Sequence, residues 1–109
     1  RIRSVDGVSA MMERITVPET IMPGLSDEAP LPNALYPHYQ AHYGVHVMRT
    51  EDEISAVTAG KSQARSLSVP GATPLLALER VAYDLTGRAV EHRRSYVLTA
   101  GLSFRVELR

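Results

Sequence analysis

Residues 75–98, LLALERVAYDLTGRAVEHRRSYVL, limit the fold more than any other stretch. Two alternating apolar runs flank Asp84-Leu85-Thr86-Gly87. Asp at the first position and Gly at the fourth suit a type I turn, and Gly accepts the left-handed backbone of the bulge that follows such a turn. A β-hairpin with strands at 75–84 and 88–98 is therefore predicted. Its outgoing strand carries four chargeable residues in a row, Glu91, His92, Arg93 and Arg94. Register decides which of them meet the incoming strand. A two-residue loop at Thr86-Gly87 sets Glu79 against Arg94 and Arg80 against Arg93. The bulged turn, favoured by its residues, sets Glu79 against Arg93 and Arg80 against His92. A slip of one residue exchanges the faces, yet both registers leave a cross-strand Glu–Arg pair worth roughly 0.2–1 kcal/mol.

The rest of the chain fits around that hairpin. Residues 1–5 and 8–18 read as a second pair of strands about Asp6-Gly7, a strong hairpin signal. Residues 19–32 hold three of the seven prolines and read as an irregular surface segment. Asn33 is placed to cap a helix over 34–43 that Gly44 ends, with Pro37 in its first turn. Leu35, Tyr39 and Tyr43 share one face of it. Residues 45–58 read as a strand, with a bulge or bend at Thr50–Glu53. Residues 60–68 allow two helical turns, SVPGATP (68–74) a loop, and 103–108 a last strand. The expected class is α+β: a mainly antiparallel sheet of about six strands flanked by helices.

Composition narrows the function. The 109 residues suit one domain, and twelve basic residues balance twelve acidic ones. A surface built to hold nucleic acid or anionic lipid needs a basic excess, so neither is expected as a direct partner. The chain has no cysteine, which removes disulfides and thiolate chemistry and points to a reducing, cytoplasmic setting. No apolar run approaches the roughly 20 residues of a membrane span. The chain opens inside a strand without an initiator Met, as a piece of a longer protein would.

Most polar clusters have plain readings. His38 and His42 stand four apart on the helix and His46 follows, but nothing completes a zinc set. Glu51, Asp52 and Glu53 lack calcium-loop spacing and read as a solvated bend. Ser62, Ser66 and Ser68 sit in no nucleophile elbow, and no Gly-rich phosphate loop appears. Neither a catalytic residue nor a cofactor is expected. Of Met11 and Met12, one should face the core and the other a pocket or interface. The arginines and glutamates of the hairpins read either as a solvated, salt-bridged face or as a cleft. In the second case Arg1, Arg3, Arg80, Glu13 and Glu91 would await a polar ligand, arginine gripping carboxylate or phosphate in two-pronged fashion.

Several segments, in order, resemble one family. RIRSVDG resembles an Arg-x-Arg strand running into Asp-Gly, and MMER an apolar stretch ending in Glu. ALYPHYQAHYGVHV resembles a Ser-Leu-Tyr helix followed by Tyr-Gly. LSVPGATPLLALERVAYDLTGRAVEHRRSY resembles the family's closing strands. From Arg1 to Arg109 the chain is similar to the UTRA domain, the effector-sensing half of GntR-type bacterial regulators of the HutC subfamily. The resemblance implies a chorismate-lyase-like fold with a ligand cleft, a preceding winged helix-turn-helix domain that alone contacts DNA, and a homodimer. It also implies a small polar or anionic effector. By the same resemblance Arg1 and Arg3 grip the anionic group, Glu13 and Glu91 address the polar side, and Tyr36 stands at the helix start. Arg93 joins Glu91 as an effector contact. Ala34 replaces the family's serine, removing one hydroxyl for a phosphate. Ser9 stands where proline is usual, and VLTAGLSF lacks the usual Arg-x-Asp-Arg-Tyr pattern. A carboxylate or less charged effector thereby stands level with a phosphosugar. The alternatives are a purely structural dimerisation module and, less favoured, a chorismate-lyase-like enzyme.

Overall fold

The computed structural model describes residues 1–5 and 8–108, so the expected turn at Asp6-Gly7 lies outside the described residues. The elements run β1 (Ile2–Val5), β2 (Val8–Thr16), α1 (Leu35–Tyr43), β3 (Val47–Thr58), α2 (Lys61–Leu67), β4 (Pro74–Asp84) and β5 (Ala89–Leu98). They form an α+β fold around a five-stranded antiparallel sheet of order β1-β2-β5-β4-β3. Both hairpins therefore share one sheet, with β2 beside β5.

The β4–β5 turn follows its residue chemistry. The Gly87 N–H donates to the Asp84 carbonyl at 3.1 Å, the Asp84 N–H to the Arg88 carbonyl at 2.9 Å, and Gly87 takes φ 81°. One Asp84 carboxylate oxygen accepts from the Thr86 N–H at 2.9 Å, the Thr86 hydroxyl at 2.8 Å and the Arg88 N–H at 3.0 Å. Burial would raise the Asp84 pKa, but the bonds from Thr86 and Arg88 outweigh it and bring it down to about 2.

Helix α1 begins one residue later than expected. Ala34 is its N-cap and makes no side-chain cap bond, so Asn33 does not cap it. Pro37 falls in the first turn, where its missing N–H costs nothing. Gly44 closes the helix at φ 66°, donating to the Gln40 and Tyr39 carbonyls.

Strand β3 runs unbroken through Thr50–Glu53, correcting the expected bend. It is an edge strand, where charged side chains reach water on either face and guard the open edge. The sixth strand is also corrected: residues 103–108 are no strand among the described residues. Their alternation is real, but a strand exists only through a hydrogen-bonded neighbour, and this segment joins neither edge of the sheet. Phe104, Val106 and Leu108 are exposed in it.

The chain packs as two compact units. One comprises Arg1–Arg14, Ile54–Leu78 and Ser95–Arg109; the other comprises Ile15–Glu53 and Glu79–Arg94. In the first unit, Leu67 of α2 packs with Ala59 and Leu75, joined by Met12, Val57 and Tyr96. In the second, Leu35 and Tyr39 of α1 pack with Met22, Leu25, Val45, Ala82 and Val90.

Candidate functional site

The expected ligand residues fall into two groups. Arg1, Arg3 and Glu13 lie in the first unit; Tyr36, Glu91 and Arg93 lie in the second.

In the first unit, antiparallel pairing sets Arg3 opposite Met11. The Glu13 side chain is only 3% exposed, and Arg1 Nε donates to its Oε2 at 2.8 Å. The Arg3 guanidinium stands 4.0 Å from the other oxygen and its side chain is 39% exposed. Burying a carboxylate is costly unless it is paired, and Arg1 supplies the firm partner. Arg3 is left close to Glu13, loosely held and open to solvent.

The β1–β2 register shifts between Arg3 and Ser4, pairing Arg3 with Met11 and Ser4 with Ser9. Ala10 is the extra residue, as in a β-bulge, which re-aims the side chains around it. Arg3, Ser4, Ala10 and Met11 consequently all line one cavity of about 380 Å³, together with residues of β4, the end of β5 and the segment 102–104. Met11 faces the cavity while Met12 packs on the core, the division expected from strand alternation.

In the second unit, Glu91 is fully enclosed. Arg93 reaches back along the same strand with two parallel bonds, Nε to Oε1 at 2.9 Å and NH2 to Oε2 at 2.8 Å. The Tyr39 hydroxyl donates to the same carboxylate. Burial first, and then that bond to Glu91, raise the Tyr39 pKa far above the usual phenol range. The Arg93 guanidinium also lies 5.4 Å from the centre of the Tyr36 ring. The Tyr36 hydroxyl is buried without a hydrogen-bond partner; it lies close enough to Arg80 to favour the charged guanidinium.

Tyr39 is the residue that sequence reasoning missed. It was expected only as part of an apolar helix face, but a phenol in a core needs an acceptor for its O–H. Glu91, 52 residues away, provides it.

The remaining charges of the hairpin look elsewhere. Glu79 accepts from Arg94 at 3.3 Å and pairs with His92 at 2.8 Å, not with Arg93 as the favoured register implied. The bonds from His92 and Arg94 hold its carboxyl below the ordinary range. The pleat explains the exchange: Val90 and Glu91, adjacent in sequence, are both buried, so simple alternation breaks there. Arg80, expected in the cleft, instead grips Asp52 of β3 with two bonds of 2.8 and 2.9 Å. That hydrogen bonding raises the Arg80 pKa and lowers that of Asp52. His38 pairs with Glu28 at 2.7 Å, and its ring lies tilted against that of His42 with centroids 4.2 Å apart. No group of three metal-ligating side chains occurs among the described residues.

The chain has counterparts in sequence and in fold. The UTRA domain family model matches residues 1–100. The chain belongs to the UTRA family. It is similar to the HTH-type transcriptional repressor PhnF of Mycolicibacterium smegmatis, with 32% identity over 95 residues, 87% of this chain. The chain spans 38% of that relative's length. Among solved structures, the effector domain of PhnF from Mycobacterium smegmatis superposes with a TM-score of 0.88 at 28% identity, covering 99% of this chain and 66% of that one. The ligand-binding domain of a GntR-family regulator from Bordetella bronchiseptica does so with a TM-score of 0.89 at 27% identity, covering 97% and 69%. The UTRA chain is thus an effector-binding domain of the GntR-family regulators.

Proposed function

We propose that this UTRA domain is the sensing and dimerising half of a cytoplasmic HutC-subfamily regulator. It would share the chorismate-lyase-like fold and follow a winged helix-turn-helix domain that makes all DNA contacts. A small ligand with an anionic group binds at Arg3, Glu13 addresses its polar side, and Arg1 holds Glu13 in place. The observation that carries this reading is the asymmetry around Glu13: Arg1 is bonded at 2.8 Å, while Arg3 stands at 4.0 Å and is 39% exposed. A guanidinium so placed can exchange a weak contact for a two-pronged bond to carboxylate or phosphate. In the second unit a separate polar contact of lesser weight is proposed at Tyr36, with Glu91 and Arg93 as the closed pair that supports its surroundings. The Tyr36 hydroxyl is the group there that an acceptor would satisfy.

Binding can alter DNA affinity only through different affinities for two states of the regulator, and couplings of about 1–3 kcal/mol are usual. The test is a thermal-shift screen against phosphosugars, sugar acids, amino acids and imidazole carboxylates, with Arg3→Ala alongside. A ligand at about 100 times its Kd stabilises by roughly 2.7 kcal/mol, a shift on the order of 10 °C for a domain this size. The reading expects a hit that Arg3→Ala abolishes; a hit that survives the substitution removes Arg3 from the site.

A second reading, a purely structural dimerisation module, rests on Phe104, Val106 and Leu108, which are 45%, 65% and 90% exposed. Alternating exposed apolar residues are what a strand offers to the sheet of another copy. It is supported if Val106→Asp abolishes dimers while Arg3→Ala leaves regulation unchanged.

A further inference from the structure

The cavity beside Arg3 says more about the ligand than its charge. Of the twelve described residues that line it, eight are apolar, among them Leu76, Leu78, Val97 and Phe104; three carry hydroxyls, and Arg3 alone of these twelve is charged. A phosphosugar is polar on all sides and would strand its hydroxyls against those leucines, which costs free energy for every unpaired group. Small-molecule sites that are mostly apolar instead take ligands with an apolar body and use a few polar groups to fix orientation. The cavity measures about 380 Å³. At about 30 Å³ for each water-sized atom it accommodates on the order of ten to fifteen non-hydrogen atoms.

We infer that the effector is an amphipathic monoanion, a carboxylate on an apolar body of about eight to twelve carbon atoms, with its charge on Arg3 and its body against Leu76, Leu78, Val97 and Phe104. This rests on the proposed effector role of Arg3 and narrows the class that it receives. Two features of the geometry favour a single negative charge. Glu13 stands 4.0 Å from Arg3, so a second charge on the ligand would face a carboxylate. No other cation among the described residues lines the cavity to offset it. Ser4, Thr99 and Ser103 also line the cavity and supply hydroxyls that can satisfy a carboxylate's remaining lone pairs.

The probe is octanoate, with octanol as its uncharged counterpart and glucosamine 6-phosphate as the polar comparator. Each is titrated against the 109-residue chain by calorimetry and thermal shift. Octanoate is expected to bind at least about tenfold more tightly than octanol, and Arg3→Gln is expected to erase that difference. Leu102→Glu sets a negative charge at the cavity wall on a segment outside the sheet. It should weaken octanoate at least about tenfold and leave the ligand-free melting temperature unchanged. Binding of glucosamine 6-phosphate but not octanoate would overturn the apolar-body inference and leave the effector reading standing. If neither these probes nor the polar panel binds, the effector reading falls with it. Octanoate binding untouched by Leu102→Glu would place the ligand elsewhere. If Leu102→Glu instead dissociates a dimer, the cavity is covered by a second copy and the inference fails.

Discussion

Glu13 and Glu91 are the same residue type in the same kind of place, a carboxylate on a strand with an arginine beside it, yet their surroundings differ. Glu91 has no exposed side-chain surface, and Arg93, two residues along the same strand, is 12% exposed. Both its oxygens are taken by Arg93, and Tyr39 adds a third bond. Glu13 is nearly as buried but is shared unequally between a close arginine and a distant, exposed one. A saturated buried pair has no capacity left for a newcomer without first breaking bonds that are expensive to break. An unsaturated one does. Burial alone therefore does not separate a supporting carboxylate from a receiving one; the number and length of its bonds do.

The largest effect should come from Glu91→Ala. It leaves a buried guanidinium and a buried phenol without their acceptor, a change that costs on the order of 3–5 kcal/mol when a buried pair is broken. Urea denaturation should show a lower midpoint with an unchanged slope. Little loss of stability would mean that Glu91 is not the closed structural pair described here, and the contrast with Glu13 would collapse.

Tyr39→Phe sharpens the same point with a smaller change. The ring, which is fully buried, keeps its packing while Glu91 loses one donor. The expected cost is about 1–3 kcal/mol, the range for stripping one bond from a buried group. In Glu91→Gln the same tyrosine substitution should cost less, because an amide needs its donor less than a carboxylate does. Equal costs in both backgrounds would show that the hydroxyl and the carboxylate are not coupled.

Both clusters show where a sequence is legible. The β4–β5 turn could be read from Asp84 and Gly87 because its bonds close within five residues. The end of α1 at Gly44 and the opposite facing of Met11 and Met12 are equally local, set by one backbone conformation and by strand alternation. The bonds of Glu91 were not legible. One comes from a helix far along the chain, and the others from a neighbour two residues on that the regular pleat had assigned to Glu79. Residues 103–108 failed in the opposite direction. Their pattern suits a strand, but pattern specifies a face, not a partner. In β3, consecutive acids suggested a bend because charge suggests solvent; an edge strand supplies the solvent without bending.

Acid sensitivity offers a third carboxylate for comparison. Asp84 is held by local bonds rather than by the sheet, and its pKa falls from 3.8 in the unfolded chain to about 2. A depressed folded value contributes stability above the unfolded pKa and loses it as pH falls through the folded one. Stability measured between pH 4 and pH 2 should decline, and Asp84→Asn should flatten that limb while weakening the turn at neutral pH. An acid limb unchanged by Asp84→Asn would assign the loss to other carboxylates.

The smallest effect on stability is expected where the functional effect is largest. Arg3→Ala removes a contact of 4.0 Å from a side chain that is 39% exposed, and exposed pairs contribute at most about 1 kcal/mol. Arg1 still neutralises Glu13 at 2.8 Å, so no buried charge is orphaned. The melting temperature of Arg3→Ala without ligand should therefore match the parent within a few degrees, while its response to an anionic ligand disappears. Arg1→Ala provides the converse. It removes the firm partner of a carboxylate that is 3% exposed and should destabilise the unliganded domain far more than Arg3→Ala does. If the two substitutions proved equally costly, Arg3 would be as much a structural partner of Glu13 as Arg1 is. The open cluster would then be no more available to a ligand than the closed one around Glu91.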